Sequence, residues 1–95
     1  MQVAWTLPAI KDLEAIQDYI AERRPVTASR LTKRLFDQTR TLLAKNPNIG
    51  RTGRVSGTRE LVITRTPYIV VYRLDTRVEI LAIIHGAREW PEHFS

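Results

Sequence analysis

Residues 59–91, RELVITRTPYIVVYRLDTRVEILAIIHGAREWP, decide how this chain folds. Three apolar runs rich in β-branched residues, Glu60–Thr64, Tyr68–Leu74 and Val78–Ile84, are split by Arg65-Thr66-Pro67 and Asp75-Thr76-Arg77. Loops this short between strand-like runs predict hairpins, and two hairpins in a row predict a three-stranded antiparallel meander. Side chains alternate along a strand, so Tyr68 and Tyr72 share one face while Ile69 and Val71 share the other. At least one of those sets belongs in a core. Arginines mark both ends of the stretch and its loops. One face of the sheet is expected to be covered, with the other face or its rim left for work.

The residues before the meander supply the cover. Gln2–Thr6 alternates weakly ahead of Pro8 and predicts a short strand. Thr6 is then placed to cap a helix whose first turn tolerates Pro8, because the missing N–H has no helical acceptor there. Over residues 9–23, Ile10, Leu13, Ile16, Tyr19 and Ile20 recur at helical spacing, with Lys11, Asp12, Glu14, Asp18 and Glu22 on the other side. Pro25 ends that helix near Arg23-Arg24, since α geometry is disfavoured just before a proline. A second helix follows, capped by Thr27 or Ser29 and striped by Leu31, Leu35, Phe36, Thr39, Leu42 and Leu43, until Asn46-Pro47 stops it. Its outer face is basic, with Arg30, Lys33, Arg34, Arg40 and Lys45 against Asp37. The two stripes predict a helical hairpin lying on the meander. Residues 46–58, NPNIGRTGRVSGT, read as a crossover loop that carries Arg51 and Arg54 between glycines. Trp90 and Phe94 in the tail are expected to fold back on the core.

Ninety-five residues allow one domain and one core. A hydrophobic content of 43% with 26% charged residues is that of a globular chain. The net charge is +5, and twelve of the fifteen cationic side chains are arginine. The guanidinium fork suits phosphates and carboxylates, so nucleic acid or an acidic protein is the partner class; a generally basic surface is equally compatible. There are no cysteines. That excludes disulfides, thiolate metal sites and cysteine nucleophiles, and it fits a reducing compartment. The N-terminus lacks the basic start and apolar core of a secretory signal, and the longest apolar run, Ile80–Ile84, is too short for a bilayer. A cytoplasmic location without membrane contact is expected.

Five segments carry a resemblance: DLEAIQDYIAER (12–23), NPNIGR (46–51), GTRELVI (57–63), PYIVVYRL (67–74) and ILAIIHGAREWP (80–91). In this order and spacing the chain resembles the RelE/ParE superfamily of type II toxins, over almost its whole length. The resemblance implies one α+β domain over residues 1–95 with β-α-α-β-β-β order, a helical hairpin packed on an antiparallel sheet. It also implies a cognate antitoxin that wraps round the toxin and blocks it. RelE-like members cut mRNA in the ribosomal A site. ParE-like members are not nucleases, and those best understood poison DNA gyrase.

Cleaving RNA through its own 2′-OH needs a base, cations for the phosphorus-centred charge and a proton donor for the leaving oxygen. RelE-like enzymes use a basic cluster on the strands and a tyrosine near the C-terminus. Here Ile69 stands where their arginine follows the first tyrosine, Glu60 and Val62 replace their lysines, and Phe94 replaces the tyrosine. Arg88 matches an arginine they keep. His85, Arg88 and Trp90 reproduce the H-x-x-R-x-W pattern common among ParE-like members. The resemblance therefore implies a ParE-like toxin that acts on gyrase by protein contact, with a ribosome-dependent mRNA endonuclease as the alternative.

Arg51, Arg54, Arg59, Arg65, Arg73, His85, Arg88 and Trp90 are the expected target- or antitoxin-binding residues. Under the nuclease alternative His85 is the acid/base and Arg51, Arg54 and Arg88 hold the phosphate. At a strand end after four apolar residues, however, a histidine more often bonds a neighbouring backbone group. Arg59, Arg73 and Arg88 are expected either to converge at one end of the sheet or to form a solvated rim. Trp5 and Trp90 read as packing residues. His85 and His93 lack a third ligand in register, so neither a metal nor a cofactor is expected.

Overall fold

The computed structural model describes residues 1–94. Seven elements follow one another: β1 (Val3–Trp5), α1 (Leu7–Ala21), α2 (Pro25–Lys45), β2 (Arg51–Thr52), β3 (Arg59–Val62), β4 (Tyr68–Leu74) and β5 (Val78–His85). The strands form one sheet in the order β1-β5-β4-β3-β2. β2, β3, β4 and β5 run antiparallel in sequence, which is the expected meander extended by a two-residue edge strand.

Two features depart from expectation. The sheet is mixed, because β1 lies parallel to β5 with Val3 opposite Val78 and Trp5 opposite Ile80. The outer edge of β5 is free in a meander, and β1 fills it. Thr6 then fixes the junction: its hydroxyl donates to the Ile80 carbonyl at 2.6 Å and accepts from the Ala9 N–H at 3.4 Å, capping α1 as expected. Secondly, residues 46–58 are not all loop, since Arg51 and Thr52 pair with Glu60 and Arg59.

Register assigns the faces. Leu61, Val70, Tyr72, Ile80, Ile83 and Val78 point toward the helices and pack with Ala9, Leu35 and Leu43 as the core. Burying each such aliphatic side chain is worth about 1.5–3 kcal/mol, so this cluster supplies most of the driving force. A bulge at Leu81, which has no partner between the Val71–Ala82 and Tyr72–Ile80 pairs, keeps Ile80 and Ile83 on one side. Tyr72 is fully buried, donating to the Pro47 carbonyl at 2.7 Å and accepting the Gly50 N–H at 2.9 Å. Gly50 permits that approach, because a Cβ there would sit 2.5 Å from the Tyr72 hydroxyl.

The helix stripes are narrower than predicted. Ile10, Tyr19, Phe36 and Leu42 stay exposed, while Ala28, Thr32, Leu35, Thr39 and Leu43 are buried from α2. Small residues let the helices lie close to each other and to the sheet, which leaves the larger ones on the flanks. Phe36 instead stacks on Trp5 at the β1 edge, with ring centroids 5.1 Å apart. α2 begins at Pro25 with Arg24 as cap residue and no capping side chain, so neither Thr27 nor Ser29 caps it. Thr32 uses its hydroxyl within the helix, on the Ala28 carbonyl.

Candidate functional site

The face of the sheet turned away from the helices holds Glu60, Val62, Ile69, Val71, Ala82 and Ile84 by alternation. Glu60 is buried, 2% exposed, at the centre of an arginine clamp. The Arg51 guanidinium donates to Glu60 Oε1 at 2.9 Å, and Arg54 donates to Oε2 through its backbone N–H at 2.7 Å and its side chain at 3.2 Å. The Arg54 guanidinium also lies 3.7 Å above the Trp90 ring, which binds the C-terminal tail to this face. Burial alone raises the Glu60 carboxyl. The Arg54 N–H and the two guanidiniums outweigh that and hold it below the usual glutamate range. One carboxylate thereby fixes two guanidiniums in place on this face.

The second site is a cleft of about 500 Å³ between α1 and the ends of β4 and β5. Asp12, Ala15, Ile16 and Tyr19 line it from α1, at the spacing of one helix face. Tyr68, Ile83, His85, Ala87 and Arg88 line the opposite wall. β1 ends short of this point, so the Ile83 N–H donates to Asp12 Oδ2 at 3.0 Å. Burial raises the Asp12 carboxyl, against the lowering effects of that N–H and of Arg88. The turn after β5 is tied down by Gly86 N–H on the Pro67 carbonyl at 2.8 Å and Arg88 N–H on the His85 carbonyl at 3.0 Å. The Ala87 N–H donates to His85 Nδ1 at 3.1 Å. A neutral His85 therefore carries its proton on Nε2, and its ring meets Tyr68 edge-on at 5.7 Å. Burial and the nearby Tyr19 raise the Tyr68 hydroxyl, while Arg88 lowers it. Among the described residues, the Arg88 guanidinium, both tyrosine hydroxyls and His85 Nε2 have no hydrogen-bond or ion-pair partner.

With this geometry in hand, comparison with known proteins decides the family. The sequence model described as "ParE toxin of type II toxin-antitoxin system, parDE" matches residues 3–90. This chain belongs to the ParE toxin family. It is 40% identical to the Sinorhizobium fredii protein named "Putative toxin Y4kP", over 96% of this chain and 94% of that one. It is 41% identical to Toxin RelE2 of Caulobacter vibrioides over 92% of this chain and 97% of that one. A chain of the chromosomal ParDE TA system from P. aeruginosa superposes with a TM-score of 0.81 at 29% identity, covering 90% of this chain and 95% of that one.

Within this ParE-family fold the expected site residues do not assemble into one site. Arg51, Arg54 and Trp90 meet on the back of the sheet, whereas His85 and Arg88 meet in the cleft. Arg59, Arg73 and Arg88 do not converge. Arg59 and Arg73 lie near the Tyr72–Ile80 end of the sheet on opposite faces, and Arg88 follows the Tyr68–His85 end. Arg59 donates to the Gly50 carbonyl at 3.0 Å, and Arg73 faces Glu79 at 3.6 Å. Arg65 sits exposed in the β3–β4 turn with φ 67, the left-handed region. His85 bonds a neighbouring backbone N–H, as a structural histidine would, while leaving its other nitrogen open. No group of three metal-binding side chains exists among the described residues, and no described helix is long and apolar enough to cross a membrane.

Sequence reasoning missed two parts of this layout. In the sequence Glu60 stands only as a replaced lysine, whereas in the fold it anchors Arg51 and Arg54. Asp12, Ala15, Tyr19 and Tyr68 meet in one cleft that their sequence positions do not announce. A signal for the helical half was present, since small Ala15 interrupts the large side chains of its flank and opens the cleft.

Proposed function

We propose that this protein is a ParE-like toxin that arrests growth in the cytoplasm by binding DNA gyrase, and that a cognate antitoxin neutralises it. The observation that carries this reading is the Glu60 clamp. A phosphate cleaved on the sheet face would need free cations there, yet a carboxylate occupies that place and holds two arginines. Ile69, Val71 and Ala82 around it are apolar and buried, and Phe94 offers no proton. The ParDE assignment of the P. aeruginosa neighbour supports an antitoxin partner. Arg88, His85 and the exposed Arg65 are the groups left to contact that partner or the target. Purified toxin is expected to stop gyrase supercoiling and to leave mRNA intact in a translating extract. Codon-specific cleavage in the A site would sink this reading.

One observation favours the nuclease alternative. His85, Arg88 and Tyr68 line the same cleft, and His85 has an open Nε2. Ribosome-dependent cleavage centred there predicts that His85→Gln abolishes toxicity with the fold intact. Full toxicity of that variant removes the alternative.

A further inference from the structure

We propose that the outer face of α2 is a contact surface for the phosphate backbone of duplex DNA, held without regard to base sequence. DNA is the occupant because the proposed target, gyrase, works on a DNA duplex. The inference therefore rests on the gyrase reading and adds the part of the toxin that meets the nucleic acid. Arg30, Lys33, Arg34, Asp37, Arg40 and Lys45 share one side of α2, opposite the buried Ala28, Thr32, Leu35, Thr39 and Leu43. Arg30, Lys33, Arg40 and Lys45 are exposed. Arg34 reaches toward the β3–β4 turn, where its guanidinium donates to the Thr64 carbonyl at 2.8 Å, and Arg65 follows exposed in that turn. The cationic surface thus continues past the helix onto the end of the sheet. Asp37 is the one carboxylate on this side. Its hydrogen bond from Lys33 at 2.7 Å, with Arg40 nearby, holds it below the usual aspartate range, so it offsets one of the five cations of α2.

Shape and composition select the class of occupant. From Arg30 to Lys45 the helix rises about 22 Å, so the cations form a line rather than a pocket. A duplex carries one charge per about 1.7 Å of its axis, and a line of cations meets several phosphates at once. Guanidinium forks bind phosphate oxygens in pairs. The face has no apolar anchor at its centre. Phe36 and Leu42, large and exposed, lie on its flanks, Val26 lies in the first turn, and Phe36 already stacks on Trp5. A protein partner needs such an anchor in the middle of its interface, whereas a phosphate backbone needs only distributed charge. The exposed side of α1 has the opposite sign, with Glu14, Asp18 and Glu22 against Lys11, so a polyanion is admitted on the α2 side alone.

The test uses the purified intact toxin and a labelled mixed-sequence duplex of about 20 base pairs, read by fluorescence anisotropy over a range of salt. Five cations against one carboxylate predict that log affinity falls with log salt at a slope of about −4. Arg30→Gln and Arg40→Gln are each expected to reduce that slope by about one, with thermal unfolding unchanged because both positions are exposed. Reversing both to glutamate should weaken binding by about tenfold or more at low salt. Asp37→Asn should tighten binding and steepen the slope. Arg73→Gln removes the same charge from the sheet face turned away from the helices and should leave affinity within about twofold. Equal losses in Arg73→Gln and in the α2 variants would reduce the effect to net charge and overturn the inference. A wild-type toxin that holds no duplex at low salt also overturns it. Tighter binding to duplex RNA or to polyglutamate would assign the face to RNA or to acidic protein and overturn the assignment to DNA. Supercoiling that continues while α2 still holds the duplex overturns the gyrase reading and leaves this surface standing.

Discussion

Two basic regions of this small protein have opposite electrostatic histories. On the back of the sheet, Arg51 and Arg54 surround a buried Glu60, and Trp90 stacks on Arg54. In the α1–β5 cleft, Arg88 and His85 stand beside two tyrosines, and Arg88 makes no ion pair among the described residues although its charge reaches the Asp12 carboxyl in the same lining. The first region uses its arginines to hold a loop and the tail to the sheet. The second leaves the Arg88 guanidinium without an ion pair among the described residues. The net charge of +5 is therefore unevenly committed, and the location of the carboxylates matters as well as the count of arginines.

Breaking the clamp should have the largest effect on stability. Arg54→Ala leaves Glu60 buried with one partner fewer and removes the cation from the Trp90 ring. The expected loss is about 3 kcal/mol, measured by urea denaturation, with a red-shifted Trp90 emission. Glu60→Gln should cost less, about 2 kcal/mol, because Arg51 and Arg54 are 55% and 44% exposed and turn to water once released. Equal losses in the two variants would show that burial of Glu60 is not what makes the clamp matter. Tyr72→Phe removes the hydroxyl that holds Pro47 and Gly50, just before Arg51, and should cost about 1–2 kcal/mol.

Acid should separate the regions further. The Glu60 carboxyl titrates below its usual value of 4.5 in the fold, so its contribution is complete above about that pH. It is lost as pH falls through the lower folded value. Asp12 has the opposite sign. Its raised carboxyl favours the fold when protonated, below the usual 3.8, and that contribution fades as pH rises through the folded value. Glu60→Gln should therefore flatten the acid limb of a stability–pH profile, while Asp12→Asn should leave it as steep or steeper. A wild-type acid limb in Glu60→Gln would break the assignment of that limb to the clamp.

The smallest stability change is expected in the cleft. Arg88→Ala should stay within about 0.5 kcal/mol of wild type, as an exposed side chain without a partner does. A loss above 1 kcal/mol would place Arg88 among the structural arginines and erase the contrast between the two regions.

Much of this was readable in residue order. The hairpins came from the apolar runs and their three-residue breaks, the start of α1 from Thr6 and Pro8, and the stop of α2 from Asn46-Pro47. The H-x-x-R-x-W ending pointed to the family that the comparisons show. Exposure of Tyr19 and Ile10 was not readable, because periodicity ranks a helix face without fixing how wide the covered stripe is. The pairing of Glu60 with Arg51 and Arg54 was not readable either, since it depends on β2 and β3 closing in register.

Sequence by itself determined the kind and order of every element but β2, and the pool of arginines, because hydrophobic period and turn chemistry act over a few residues. Only the tertiary structure decided that β1 lies parallel to β5, that two arginines are tied to one buried glutamate, and that Arg88 and His85 face an open cleft. Those outcomes depend on which side chains meet across distant segments, and desolvation at the meeting point sets whether a charge is consumed or left free.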